Sequence, residues 1–379
     1  KKTPPAVINI LRLGLFQVVF LDRIPVSAAV NTSVQLAKAQ APPWVAGFVN
    51  ALLRNAAKNW EQVPLPDPVQ QPERHLAVGC SLPLWLVRRW IGRFGEVQAK
   101  SLCQAVNEIP PVTARVNTLL TSRSRLITAL KTECGEVAAG ALSPEAVLFR
   151  NPASAVSSLE SHRKGWFQVQ DEAAQLVVHL FDPKPGERVL DACAGLGGKT
   201  GHIAQQMQNR GKIIAADKDG SKLSRLASEM DRLSISIVEC RTVDLLKKAG
   251  ARSELFDRVL LDAPCSGLGV LRKNPDARWR TEKKDLKRFA EHQQRLLEHM
   301  APLVKPAGVL VYAVCTTEPE ETDGVVEAFL TSCPDFQPFR PSALSGFLND
   351  LVDNRGRFYA LPHRHGTDGF FAQRFVRKD

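Results

Sequence analysis

Four apolar runs in the C-terminal half constrain this chain more than any other feature: ERVLDACAG (187–195), KIIAADKD (212–219), FDRVLLDAP (256–264) and GVLVYAVCT (308–316). Each is of strand length and helical patterns separate them, so from about residue 168 the chain alternates strand and helix. That alternation predicts an α/β fold built on a mostly parallel, doubly wound sheet. Each run also ends in polar or reactive residues: Asp191 and Cys193, Asp217, Asp262 with Cys265 just beyond it, and Cys315. Open α/β sheets bind ligands outside the carboxyl ends of their strands, so these residues are expected to converge on one crevice.

The turn after the first run, DACAGLGGKT, carries Gly195, Gly197 and Gly198 ahead of Lys199 and a helical pattern. Glycines there let a ligand approach the backbone. The turn is not a P-loop, because G-x-x-x-x-G-K-[ST] requires glycine where Cys193 stands, and G-x-G-x-x-G fails at Thr200. This argues against an NTPase. Asp217 ends the second run, where an acid accepts the two hydroxyls of an adenosine ribose. Asp244, after the third strand, suits either an adenine amino group or a helix N-cap.

A nucleoside crevice holding an Asp-x-Pro-Cys loop and a second strand-end cysteine suits methylation of a pyrimidine ring carbon. Carbon 5 of cytosine is a poor nucleophile until a thiolate adds to carbon 6. One cysteine suffices for that attack, but a second group must help release the adduct, and Asp262 is a candidate to bind the protonated ring edge. The pattern does not rank Cys265 against Cys315.

The rest of the chain supplies context. A net charge of +11 favours a polyanionic partner. The eight cysteines show no C-x-x-C or other close ligand spacing, which predicts no metal site and reduced, cytoplasmic thiols. The opening KKTPPAVINILRLGLFQVVF resembles an export leader, but Asn9, Arg12, Gln17 and Asp22-Arg23 interrupt it, so it reads as an amphipathic helix with no membrane span. The missing initiator Met reads as a fragment or processed form.

Residues 1–62 are expected to form a helical unit, with helices at 6–21, 26–39 and 45–58. A proline-rich linker (63–76), in which Pro64, Pro66, Pro68 and Pro72 exclude regular structure, leads to an α+β unit (77–165) and then the α/β domain (166–379). The strip RKNPDARWRTEKKDLKR at 272–288 reads either as a phosphate-binding face or as a solvated helix. Glu318 to Asp323 reads as an acidic first helical turn, His363 to His365 as surface, and Phe370-Phe371 as core.

With these residues in view, the chain resembles the ribosomal and transfer RNA cytosine-5 methyltransferases that use S-adenosylmethionine. RVN (115–117), VQDEAAQ (169–175), DACAGLGGKT, AADKD, LLDAPCSGLGVLRKNPD, VYAVCTTEPEE and DGFF (368–371) are similar to that family's motifs, in order and over nearly the whole chain. The N-terminal helices are similar to the NusB-like RNA-binding extension of the RsmB/Sun/Fmu branch, which acts on bacterial 16S rRNA, although the unit reads as truncated.

The resemblance implies a Rossmann-like class I methyltransferase domain. It implies that Cys193, Ala194, Gly195, Leu196, Gly197, Gly198, Lys199 and Lys218 line the cofactor, with Asp217 at the ribose, Asp244 at the adenine, and Asp262 between cofactor and cytosine. It makes Cys315 the nucleophile and Cys265 the release residue, with Lys199 near the base. Leu196 stands where the family has proline. The expected partner is small-subunit rRNA, and the expected state a monomer with no metal and no membrane contact. The alternatives are a DNA or tRNA cytosine-5 methyltransferase, or a non-catalytic NusB-like assembly factor.

Overall fold

A computed structural model of the chain describes residues 3–247, 254–339 and 346–379. It divides into two compact units, Lys1–Gln71 and Pro72–Asp379. The first is three helices, α1 (Pro5–Phe20), α2 (Val26–Gln40) and α3 (Pro43–Asn59). Proline stands at or just before each start, where its fixed φ and missing N–H cost the helix nothing. Val7, Ile10, Val30, Ala37, Val45, Val49 and Leu53 form the core of this unit.

Residues 63–71 contain no helix or strand, in keeping with their prolines. Pro72 departs from that expectation, because it opens helix α4 (Pro72–Gly79) as the first helical residue.

After α4 come α5 (Leu84–Ala105), β1 (Val112–Val116), α6 (Arg123–Glu133), β2 (Cys134–Ala139), β3 (Ala146–Pro152), α7 (Glu160–Arg163) and β4 (Phe167–Val169). The strands make an antiparallel sheet in the order β2-β3-β1-β4, and Ser122 caps α6 by accepting from the Arg125 amide. Ala114, Val116, Leu126, Leu130, Phe149 and Phe167 fill the space between helix and sheet.

The second sheet is built from β5 (Arg188–Ala192), β6 (Lys212–Asp217), β7 (Val238–Thr242), β8 (Phe256–Asp262), β9 (Val304–Val314), β10 (Phe336–Pro338), β11 (Arg357–Ala360) and β12 (Phe370–Arg377). Its order is β10-β12-β9-β8-β5-β6-β7, with β11 also on β12. β9 to β7 are parallel, and β12 closes the edge antiparallel to β9. Helices α8 (Glu172–Phe181), α9 (Gly198–Gln206), α10 (Gly220–Arg232), α11 (Ala277–Arg280), α12 (Asp285–Met300), α13 (Asp323–Ser332) and α14 (Pro362–His365) occupy the connections. The sheet is apolar on both faces, with separate buried clusters on each.

The chain leaves β5 towards β6 and β7, then returns to β8 and β9 on the other side of β5. This reversal puts the topological switch point between β5 and β8, whose carboxyl ends therefore flank a crevice.

Among the described residues no helix is long and apolar enough to cross a membrane. One histidine–carboxylate grouping, Glu145, His179 and His202, brings its ligand atoms within 4.8 Å of one another. Glu145 Oε2 lies 2.8 Å from His179 Nε2, and Gln206 Nε2 reaches both Glu145 Oε1 at 3.2 Å and His202 Nε2 at 3.3 Å. The grouping thereby ties the loop before β3 to α8 and α9.

Candidate active site

Strand register brings the expected residues to one edge. Ala192 pairs with Ala216 and with Leu261, Asp217 with Thr242, and Asp262 with Ala313, so Cys193, Asp217, Asp262 and Cys315 lie within a residue or two of one level.

The glycine turn is shaped for backbone approach. Cys193, Gly195 and Gly197 all have positive φ, at 63°, 57° and 82°. Gly197 is also sterically required, since a Cβ there would lie 2.6 Å from Leu226 Cγ. Asp217 Oδ2 accepts from the Gly195 amide at 3.0 Å and Oδ1 from the Asp219 amide at 2.9 Å, which fixes the carboxylate at the mouth of the turn. Beneath it, fully buried Asp191 accepts from Thr200 Oγ1 at 2.6 Å, while its Oδ1 has no partner. Burial pushes the Asp191 carboxyl up to about 7, with the nearby Asp262 and Asp217 adding to the effect. Burial, with the same three aspartates, likewise pushes the Cys193 thiol up to about 12, so this cysteine stays a thiol.

Lys199, in the first turn of α9, reaches Asp262 Oδ2 at 2.6 Å and lies 4.9 Å from the centre of the Phe370 ring. Asp262 thus has a fixed orientation at the end of β8. Lys218 is exposed beside Asp217. Asp244 folds back on its own turn and accepts from the Leu246 amide at 3.1 Å, so local capping already occupies one of its oxygens.

The two candidate thiols face each other, with Cys265 Sγ 3.1 Å from Cys315 Sγ. The hydrogen bond to Cys315 drives the Cys265 thiol well above its ordinary range, with burial and the neighbouring Glu321 acting in the same direction. The loop after Cys265 is pinned by the Gly269 amide donating to the Cys315 carbonyl at 3.0 Å and by the Gly369 amide donating to the Gly269 carbonyl at 2.8 Å. A Cβ on Gly269 would lie 2.0 Å from the Gly369 carbonyl, so glycine is what lets the Pro-Cys loop, the end of β9 and the DGFF segment meet.

Residues 178–376 match the family described as 16S rRNA methyltransferase RsmB/F. Residues 82–156 match the RsmF/B-like ferredoxin-like domain, and residues 1–58 the NusB family. The chain belongs to the RsmB/F family. It is 39% identical to the probable ribosomal RNA small subunit methyltransferase B of Bacillus subtilis, over 98% of this chain and 83% of that protein. Against the protein of the same description from Synechocystis the identity is 38%, with the same coverage. Among solved structures, the crystal structure of PH0851 superposes with a TM-score of 0.81 at 31% identity, over 97% of this chain and 82% of that one.

Set in this family, several sequence readings change. Only part of the basic strip is free to meet phosphate. Lys273 Nζ pairs with Asp171 and Asp368, each at 2.7 Å, Arg272 pairs with Asp368, and buried Arg278 donates to Asn107 Oδ1 at 2.7 Å. Arg280, Lys284, Lys287 and Arg288 remain largely exposed.

The acidic run is divided between the 3-10 turn Pro319–Glu321 and the start of α13, and most of it is buried or paired. Glu318 is buried and paired with Arg89 and Trp90, Glu320 also pairs with Arg89, and Glu321 is buried completely, which leaves only Asp323 at the start of α13. His363 and His365 are half-buried rather than surface residues; His365 Nδ1 accepts from the Leu361 amide, and His363 meets the Phe94 ring edge-on. Phe370 and Phe371 are core residues, as their pattern predicts.

Arg115 and Asn117, quoted above only as part of a motif, are supports. Buried Arg115 donates to Gln168, Gln170, Gln205 and the Gly198 carbonyl, holding the start of α9.

Proposed function

We propose that the protein transfers the methyl group of S-adenosylmethionine to carbon 5 of a cytosine in small-subunit ribosomal RNA, through a covalent adduct with Cys315. The observation that carries this reading is the contact between Cys265 and Cys315 at the sheet edge that also holds the Lys199–Asp262 pair. Methylation of an activated pyrimidine carbon requires one sulfur to add and a second group to take a proton, and few other reactions use two thiols in this way. The descriptions of the Bacillus and Synechocystis relatives support the substrate class.

The cofactor side fits an adenosyl sulfonium. The turn at Gly195 and Gly197 admits its backbone-bound part, and Asp217, fixed by two amides, is placed to accept the ribose hydroxyls. When bound, S-adenosylmethionine supplies an electrophilic methyl on a positively charged sulfur.

The chain's own groups do the rest. Cys315, its proton given up to solvent, adds as the thiolate to carbon 6, and the displaced electron pair makes carbon 5 nucleophilic. Asp262, oriented by Lys199, holds the ring edge as it takes up a proton. Formation of the carbon–sulfur bond ends the hydrogen bond between the two sulfurs, and Cys265, its proton given up to solvent, is left to act as the base. Once carbon 5 bears the methyl group, the Cys265 thiolate takes the carbon 5 proton. The ring double bond re-forms, the carbon 6–sulfur bond breaks, Cys315 leaves as thiolate, and the ring-edge proton passes to solvent.

Trapping tests the assignment. On RNA carrying 5-fluorocytosine, which has no carbon 5 proton to lose, the native enzyme and Cys265→Ala are expected to form an adduct that survives denaturing electrophoresis, and Cys315→Ala none. An adduct kept by Cys315→Ala and lost by Cys265→Ala reverses the roles, as in the DNA-type rival. No adduct with any form, together with no cofactor binding by calorimetry, leaves the non-catalytic assembly factor.

A further inference from the structure

Glu321 lies in a short 3-10 turn, Pro319–Glu321, beyond β9, and its side chain is fully buried. Its Oε2 accepts from the Ser266 amide at 2.9 Å and from Gln293 Nε2 at 2.9 Å, and the same Gln293 nitrogen donates to the Pro264 carbonyl at 2.9 Å. The peptide groups on both sides of Cys265 are therefore held by one carboxyl and one amide. The Tyr312 hydroxyl, 2.9 Å from Gln293 Oε1 and 2.7 Å from the Glu321 carbonyl, locks the amide in turn, and Ser266 Oγ lies 3.2 Å from Thr316 Oγ1, next to Cys315. Glu321 Oε1 has no hydrogen-bond partner. Leaving a buried carboxyl oxygen unpaired is costly, and general core packing would be served better by an apolar side chain.

We infer that Glu321 is a positioning residue for adduct release: with Gln293 it brackets Cys265 and holds the Cys265 sulfur where it can take the carbon 5 proton. The inference rests on the proposed roles of the two cysteines. Cys315 directly follows β9, whose last residue Val314 is paired in the sheet, whereas the Pro-Cys loop lies further outside the ladder and is held by these bonds. Loss of Glu321 should therefore spare attack and slow release.

The experiment follows the covalent adduct on ordinary cytosine RNA with the full chain and S-adenosylmethionine. Glu321→Ala is expected to raise the fraction of enzyme caught as adduct about tenfold and to lower turnover by a similar factor. Glu321→Gln, which keeps an acceptor for both donors, should stay within about threefold of the native enzyme. A merely structural role would lower adduct formation, turnover and cofactor affinity together, with no rise in adduct, and that result overturns the inference. If Glu321→Ala does not fold, Gln293→Ala takes its place, since it removes the link to the Pro264 carbonyl and one of the two donors to Glu321 while leaving the Ser266 amide bonded to the carboxyl. It must then show the same accumulation, by about threefold or more. Cys265→Ala is the control: accumulation there without accumulation in the Glu321 and Gln293 variants defeats this inference alone, and no accumulation in Cys265→Ala defeats the proposed chemistry beneath it.

Discussion

Each half of the crevice rests on a buried carboxyl, and the two are wired differently. On the cofactor side Asp191 accepts from Thr200, nine residues further along the chain on the same strand–turn–helix, and its second oxygen has no partner. On the thiol side Glu321 accepts from Ser266 and Gln293, which are 55 and 28 residues away. Burial pushes both carboxyls above their ordinary range. The turn on the cofactor side is thus built around one strand–turn–helix, to which Asp217 from β6 and Arg115 from β1 are fastened. The thiol half is an assembly of four separate segments, the Pro-Cys loop, α12, β9 and the 3-10 turn.

The largest effect expected from this contrast is in the pH dependence of stability. Unfolded Asp191 ionises near 3.8, and in the folded protein its carboxyl is raised to about 7. Between those values the unfolded chain has lost the proton and the folded one keeps it, so the contribution of Asp191 to stability falls as pH rises through the window and is lost above 7. Asp191→Asn removes that dependence. The stability difference between native protein and variant is expected to change by up to about 3 kcal/mol from pH 4.5 to 7, as read by urea unfolding. Parallel curves across that range would mean that Asp191 is ionised in the fold.

A smaller effect separates the halves functionally. Asp217→Ala takes the acceptor from the Gly195 amide and the proposed partner from the ribose. Affinity for S-adenosylmethionine is expected to fall about thirtyfold, roughly 2 kcal/mol, while Cys265→Ala and Glu321→Ala stay within about twofold. Calorimetry reads all three. Comparable losses in all of them would mean that the crevice behaves as one cooperative unit rather than two halves.

The same contrast explains what was legible in the sequence. Asp191, Asp217, Asp262 and Cys315 could be read because a strand of period two ending at a sheet edge fixes where its last residue lies, whatever the partners. Glu321 does stand in an acidic helical turn, the 3-10 turn Pro319–Glu321, but its burial could not be read, because it depends on Gln293 and Tyr312, which approach from α12 and β9 with no spacing that announces them. The antiparallel edge made by β10, β11 and β12 was missed for a related reason: FQP and RFYA are too short to show alternation, and they become strands only by pairing with β12. The ranking of the two thiols came from family resemblance, since each sits at a strand end and pattern alone cannot tell attack from release.

Charge shows the limit most directly, and it sets the smallest expected effect. A count of lysines and arginines over 272–288 weighs Lys273 and Lys287 equally. In the fold Lys273 is held between Asp171 and Asp368, whereas Lys287 is 85% exposed and only loosely paired with Glu291 at 3.8 Å. Lys287 can therefore exchange a weak surface pair for an RNA phosphate at little cost, while Lys273 would have to abandon two buried carboxylates. Lys287→Ala is expected to weaken RNA binding by less than about 1 kcal/mol and to lower the slope of log affinity against log salt by about one, with the unfolding midpoint unchanged. An unchanged salt slope would place the RNA on another face of the catalytic unit, and the strip would then be only a solvated helix.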